Sequence, residues 1–241
     1  MSTDVYEVVA RNIATASENK IHDNEAARRL GFAGGLVVGV EVYAYMTHAM
    51  MSRFGKGWLD HGLAECRFLK PVYEGELVQV LARDEDGRLS VEATSKGELC
   101  AAGAASIASG SETAVPLYDA IPYLVPPLDR PVASAESLAP GTILCTAPAQ
   151  FDEAALTAYL DAVSERDPVY LKEDLVHPGM ILRLGNQALM QNVRLGPWIH
   201  VASSVRNFAA ARLGEELTLR PASKRITKPR VMLMLSLVGS P

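Results

Sequence analysis

The chain has 241 residues, 49% hydrophobic and 6% aromatic, with a net charge of −5. That length holds one large domain or two small ones, with a sizeable core built mainly from Ala, Val and Leu. Interspersed charges argue against a nucleic-acid partner, and the absence of an 18-residue apolar run argues against a membrane-spanning helix.

Val5 to Ala16 reads as a strand-then-helix lead-in. Gly39 to Met51 predicts a buried helix, because Val40, Tyr43, Ala44, Met46, Thr47, Met50 and Met51 recur at three- and four-residue spacing. Strands follow at Ala64 to Phe68, Leu77 to Arg83, Leu89 to Thr94 and Leu99 to Ile107. Asp84-Glu85-Asp86-Gly87 and Ser95-Lys96-Gly97 supply the turns between the last three. Ser109 to Gly141 holds six of the fourteen prolines, and proline removes ladder donors and breaks helices, so this stretch predicts a surface linker. Beyond it the order repeats. Thr142 to Ala147 predicts a strand, and Asp152 to Ser164 a helix with Asp152 as its N-cap. Met180 to Asn192 predicts a second central helix. Strands are expected at His200 to Phe208 and Glu216 to Leu219, and Val231 to Val238 is a last apolar run. The boundaries divide the chain into an N-terminal unit at 1–108, a linker at 109–141 and a C-terminal unit at 142–241. Two such units predict an internally duplicated α+β fold.

Residues 19 to 52 carry the pattern richest in chemistry. Asn19-Lys20-Ile21-His22 precedes a glycine turn, Gly31-Phe32-Ala33-Gly34-Gly35-Leu36-Val37-Val38-Gly39, and then the apolar helix. Histidine moves protons near neutral pH. Glycines let backbone approach a ligand, and the free N–H groups at a helix start hold a partial negative charge. A degraded copy recurs in Glu165-Arg166-Asp167-Pro168-Val169-Tyr170 and Leu175-Val176-His177-Pro178-Gly179. Cys66, Cys100 and Cys145 sit in apolar contexts and read as reduced core thiols, and the acidic start at Met1-Ser2-Thr3-Asp4 lacks a signal-peptide pattern. Together they predict a cytoplasmic location. His48, His61 and His200 have no metal-ligand spacing, so no metal is expected.

This order of motifs resembles the MaoC-like hydratases, in which D-x-N-P-x-H precedes G-F, a glycine turn and the central helix. Asn19 and His22 match the Asn and His, Gly31-Phe32 the G-F, and Gly39 the glycine at the helix start. Phe68-Leu69-Lys70-Pro71-Val72-Tyr73-Glu74-Gly75-Glu76 is similar to F-x-x-P-V-x-x-G-D, and Gly214-Glu215 to a second G-D turn. Glu165, Asp167, Pro168 and Tyr170 stand in the Asp, Asn, Pro and His places of a second copy. The resemblance spans nearly the whole chain and implies a double hot-dog: antiparallel sheets, each wrapped around a central helix. It implies a hydro-lyase that adds or removes water at the β-carbon of an enoyl thioester, with no cofactor beyond the coenzyme A or carrier arm of the substrate. His22 would be the acid/base, Asn19 would orient water or thioester, and the Gly39 N–H would hold the oxyanion. Gly34, Gly35, Val38 and Tyr43 would contact substrate, and Arg166, Lys172, Lys224, Arg225 and Lys228 are the candidates for its phosphates. Hot-dog sheets pair edge to edge, which implies pairing of the two units within the chain and a homodimer beyond it.

Departures from the pattern leave alternatives open. Ser17 stands where the family has its catalytic Asp, Lys20 where it has Pro, and Val38 where a histidine is usual. Ser17 cannot act as a base near neutral pH, and Glu18, Asp23, Glu25 and Glu165 are the carboxylates that could substitute. Glu41 inside an apolar helix suggests instead a hot-dog thioesterase that activates water with a helix carboxylate. A catalytically silent acyl-thioester-binding protein is the third reading.

Overall fold

The computed structural model describes residues 4–109 and 122–220, and the backbone of 235 and 236. Its longest helix, α2, runs Gly39–Phe54 and follows a short turn at Lys20–His22 and a short helix α1 at Asn24–Arg29. α2 is buried along nearly its whole length, as its apolar circumference requires. Around it lies a sheet made from β1 (Asp4–Val9), β2 (Gly62–Phe68), β3 (Leu77–Glu85), β4 (Arg88–Ser95) and β5 (Glu98–Ile107). Period-two alternation decides which face meets the helix. Val78, Val80 and Ala82 of β3 and Leu89, Val91 and Ala93 of β4 are buried, and the register pairs Val80 with Ala93 and Ala82 with Val91. The short helix α3, Gly57–His61, turns the chain from α2 into β2.

The second unit places α4 (Glu153–Val163), α5 (Val169–Lys172) and the central helix α6 (Pro178–Asn192) before β6 (Ala202–Arg206). Asp152 caps α4 by accepting from the Ala155 N–H at 2.7 Å. The strand order is β1-β3-β4-β5-β2-β6-β7, with β7 at Leu235–Ser236. β2 and β6 pair antiparallel from Leu63 opposite Arg206 to Arg67 opposite Ala202. The two units therefore join edge to edge within one chain, and the architecture is the α+β double hot-dog that the sequence resemblance implies. One core cluster runs through both, holding Val42 and Met46 of α2 together with Leu156, Tyr159 and Leu182 of α4 and α6.

The duplication shows in individual hydrogen bonds. Val37 N–H donates to the Val72 carbonyl at 2.8 Å, and Val176 N–H to the Ala211 carbonyl at 2.9 Å. Tyr73-Glu74-Gly75-Glu76 and Arg212-Leu213-Gly214-Glu215 form the same turn, each with its first N–H donating to the last glutamate carboxylate, at 3.2 and 2.8 Å. Gly75 and Gly214 take φ of 77° and 81°, a left-handed conformation that favours glycine.

Three expectations need correction. Val5 to Ala16 begins as a strand, but after Val9 it continues in turns, not a helix. Thr142 to Ala147 and Glu216 to Leu219 form no extended ladder among the described residues. They meet through the Ala149–Leu217 bridge and the Thr146 N–H bond to the Leu219 carbonyl at 3.1 Å. Pro148 lacks the N–H that a continuous ladder would need. The linker is also less detached than its prolines suggest. Val132 bridges to Arg194, and Leu138 packs with Leu144, Leu189 and Val193. Residues 110–121 of the linker and most of the last apolar run lie outside the described residues.

Candidate active site

A cavity of about 270 Å³ opens where the start of α2 meets the segment entering β6. Asn19, His22, Val38 and Gly39 line it from the first unit, and Trp198 and His200 from the second. Most of its wall is apolar, from residues such as Leu36, Val37, Val42, Phe68 and Val72.

His22 owes its position to backbone on both sides. Asn12 Nδ2 donates to the His22 carbonyl at 2.8 Å, and a Cβ on Gly35 would lie 2.2 Å from that same oxygen. The turn thus needs a glycine at 35 so that backbone can pass over His22. The ring Nδ1 lies 2.7 Å from the Leu36 carbonyl. A carbonyl only accepts, so the neutral ring carries its proton on Nδ1 and keeps a lone pair on Nε2. Asn19 Nδ2 is 3.4 Å from that Nε2. Burial lowers the His22 pKa and the Leu36 bond partly offsets it, so the ring is neutral near pH 7.

Asn19 also ties the two units together. Its Nδ2 donates to the Trp198 carbonyl at 2.9 Å, and its Oδ1 accepts from the Trp198 N–H at 3.2 Å. Phe68 N–H adds a bond to the Val201 carbonyl at 3.0 Å. At the head of α2, Val38 is the N-cap and offers no side-chain hydrogen bond. The first N–H groups of a helix have no acceptor within it, so the Gly39 end presents donors and a positive dipole to the cavity. A Cβ on Gly39 would sit 3.3 Å from His200 Cβ and 3.4 Å from the Phe68 ring.

The structure brings together Asn19, His22, Val38 and Gly39 and leaves the other candidates elsewhere. Gly34 and Gly35 do not line the cavity; they shape the turn behind it, against Asn24 and His22. Tyr43 is 1% exposed, does not line the cavity, and borders a smaller recess beside Pro178 of α6. Every carboxylate named as a substitute for the missing Asp is engaged away from the cavity. Glu18 pairs with Arg130 at 2.9 Å, Asp23 caps α1 through the Ala26 N–H at 2.8 Å, and Glu25 pairs with Arg29. Glu165 accepts from the Arg166 and Asp167 N–H groups at 2.7 Å and faces His48 at 3.1 Å. Ser17 Oγ accepts from the Asn19 N–H at 3.1 Å. Glu41 is paired with Arg183 between α2 and α6, and burial pushes its pKa up to about 7. No Asp or Glu among the described residues lines the cavity.

The second copy of the motif is closed. His177 caps α6 by accepting from the Gly179 N–H at 3.1 Å, between the rings of Tyr159 and Tyr170. Burial pushes its pKa down to about 4. Of the phosphate candidates, Arg166 pairs with Asp161 at 2.6 Å, and Lys224, Arg225 and Lys228 lie outside the described residues. Lys70 and His200, not singled out for the site from sequence, do line the cavity. Lys70 belongs to the F-x-x-P-V match, which was the available signal; His200 had none.

No protein-family model matches the sequence, and no curated protein matches it. Solved structures do. A MaoC-like dehydratase aligns over 98% of this chain and 96% of its own, with 13% identity and a TM-score of 0.60. The dehydratase domain from the CurF module of curacin polyketide synthase aligns over 99% and 92%, with 11% identity and a TM-score of 0.54. HtdX from Mycobacterium tuberculosis aligns over 99% and 94%, with 14% identity and a TM-score of 0.51. At these identities the likeness establishes a common fold, the double hot-dog of the MaoC-like dehydratases, across nearly the whole chain.

Proposed function

We propose that this chain is a MaoC-like acyl-thioester hydratase or dehydratase, acting at the β-carbon of an enoyl or 3-hydroxyacyl thioester. The observation that carries the reading is His22: a neutral imidazole with its lone pair on Nε2, lining the same apolar cavity as the open N-terminus of α2. Hydration needs proton transfer and stabilisation of an enolate-like oxygen. His22 Nε2 takes a proton from water as the C–O bond forms at the β-carbon. The π electrons move to the thioester oxygen, held by the Gly39 N–H. The imidazolium then returns the proton to the α-carbon, so one base completes the addition. Dehydration is the reverse. Asn19 holds the Trp198 segment against the cavity and orients the water.

The test is turnover of a panel of enoyl-CoA esters with His22→Ala as control. The parent hydrates at least one ester, and the variant loses about 10²–10⁴-fold in rate. A parent without activity, or a variant as active as the parent, refutes the reading.

Among the described residues no carboxylate lines the cavity, which favours one second reading, a silent acyl-thioester-binding protein. Saturable acyl-CoA binding without turnover at high protein concentration would support it. The thioesterase reading requires Glu41, and the Arg183 ion pair holds that side chain between helices instead. Coenzyme A release abolished by Glu41→Gln would restore it. We also propose a cytoplasmic homodimer. Val5 and Val9 are exposed on β1 at the outer edge of the sheet, with exposed Leu77 of β3 paired to Val9, and light scattering decides its state. No helix among the described residues is long and apolar enough to cross a membrane.

A further inference from the structure

The proposed mechanism uses one imidazole, no carboxylate among the described residues lines the cavity, and a second imidazole lies on its wall. His200 is delivered from the second unit by the segment that Asn19 clamps at Trp198 and Phe68 holds at Val201. Its ring packs against Phe68 at 4.9 Å between centroids, beside the start of α2. Nε2 lies 2.9 Å from the Ala202 carbonyl and 2.9 Å from Ser203 Oγ. The Ala202 carbonyl only accepts, so the proton of the neutral ring sits on Nε2 and the lone pair on Nδ1. That Nδ1 is buried and has no hydrogen-bond partner. Burial also pushes the pKa down to about 4, which keeps the ring neutral and able to accept. A buried acceptor with no partner costs stability unless a ligand group fills it.

We propose that His200 is the second catalytic side chain of this site, with Nδ1 accepting a hydrogen bond from the oxygen that adds to or leaves the β-carbon. The inference rests on the hydratase reading and deepens it. In hydration, water gives one proton to His22 Nε2 and directs its other hydrogen to His200 Nδ1. In dehydration, the β-hydroxyl makes the same bond before it leaves with the proton His22 carries. His200 neither gains nor loses a proton over the cycle. The first unit supplies the base and the oxyanion donor, and the second supplies the acceptor that aims the oxygen.

Two substitutions separate this role from a structural one. His200→Asn places an amide oxygen near the position of Nδ1, whereas His200→Gln places its amide near Nε2, where it keeps the bond to the Ala202 carbonyl. With an enoyl thioester, His200→Gln is expected to lose about 100-fold in kcat with little change in KM, and His200→Asn to stay within about 10-fold of the parent. The reverse order overturns the proposal. A second readout is independent of turnover: ¹⁵N-imidazole NMR of the parent with 3-hydroxybutyryl-pantetheine, and with butyryl-pantetheine as control. The His200 Nδ1 resonance, assigned by its loss in His200→Gln, moves to a hydrogen-bonded position only with the hydroxylated ligand. If the parent turns over but the resonance stays and His200→Gln keeps its activity, the role of His200 fails and the hydratase reading stands. If no thioester turns over but the resonance moves, the hydratase reading fails and hydroxyl recognition by His200 stands. Neither turnover nor movement overturns both.

Discussion

The Leu36 carbonyl, 2.7 Å from His22 Nδ1, fixes which nitrogen of the candidate base can work. With Nδ1 occupied, only neutral His22 offers a lone pair on Nε2, and protonation removes it. Burial lowers the His22 pKa below 6.5, so kcat/KM should hold through neutral pH and fall only as pH drops below about 6.5. A pH–rate profile checks this, and an acid limb above pH 7 would contradict it. Gly35 belongs to the same apparatus. A methyl there would lie 2.2 Å from the His22 carbonyl oxygen and 2.8 Å from its carbon, both backbone atoms that cannot step aside alone. Gly35→Ala should cost ~1–3 kcal/mol by overpacking and lower Tm by ~2–4 °C for each kcal/mol. It should also reduce turnover although residue 35 does not line the cavity. Thermal melts and kinetics on the variant check both. At this scale the sequence displayed Asn19, His22, Val38 and Gly39, because they share one short stretch. It displayed Gly34 and Gly35 as ligand contacts, whereas neither lines the cavity; Gly34 lies against Asn24, and Gly35 lets backbone pass over His22. His200 was invisible, since its place is set by bonds between residues far apart in sequence, such as Asn19 with Trp198.

Among the elements, α2 was the most legible, because an apolar circumference over four turns leaves few other structures. Glu41 was visibly out of place in it. Its partner, Arg183 on α6, is too distant in sequence to be read from pattern. The pair has a consequence for stability. Glu41 has a folded pKa raised to about 7, by burial against the opposing effect of Arg183, while the unfolded chain has the ordinary value near 4.5. Between those values the unfolded state has released a proton that the folded state keeps, so this group's contribution to stability falls as pH rises through the window. Glu41→Gln cannot ionise and escapes that loss. Arg183, one-third exposed and lying over the Tyr159 ring, keeps access to water in the variant. Measured by denaturant unfolding, Glu41→Gln should gain on the parent between pH 5 and 7, by at most about 3 kcal/mol, and hold that gain to pH 8. A difference independent of pH would refute the assignment. His177 acts with the opposite sign. Its folded pKa of about 4 lies below the unfolded value of 6.5, so its contribution is present above pH 6.5 and is lost as pH falls towards 4.

For the molecule as a whole, the turns around Gly75 and Gly214 were a readable mark of duplication, and their matching N–H-to-carboxylate bonds and glycine conformations bear it out. The resemblance implied that the units pair within the chain; which elements form the seam it did not say. The seam consists of β2 against β6, α2 against α6, and a core cluster that passes through both units without a break. The partition at 1–108 and 142–241 follows the repeat, whereas the packing follows the seam. Separating the units would strip β2 of its β6 ladder, expose α2 residues such as Tyr43 and Ala44, and take Trp198 and His200 from the cavity wall. Neither unit can lose its neighbour without exposing apolar surface that it cannot rebury alone. Calorimetry of the full chain should therefore show one transition, with calorimetric and van't Hoff enthalpies in agreement, despite a length at which two domains often melt apart. An acyl-thioester ligand should raise that single Tm as a unit, because its proposed site draws on both halves. Two transitions, with only one moved by ligand, would mean that the seam is weaker than its packing implies and that the site belongs to one unit.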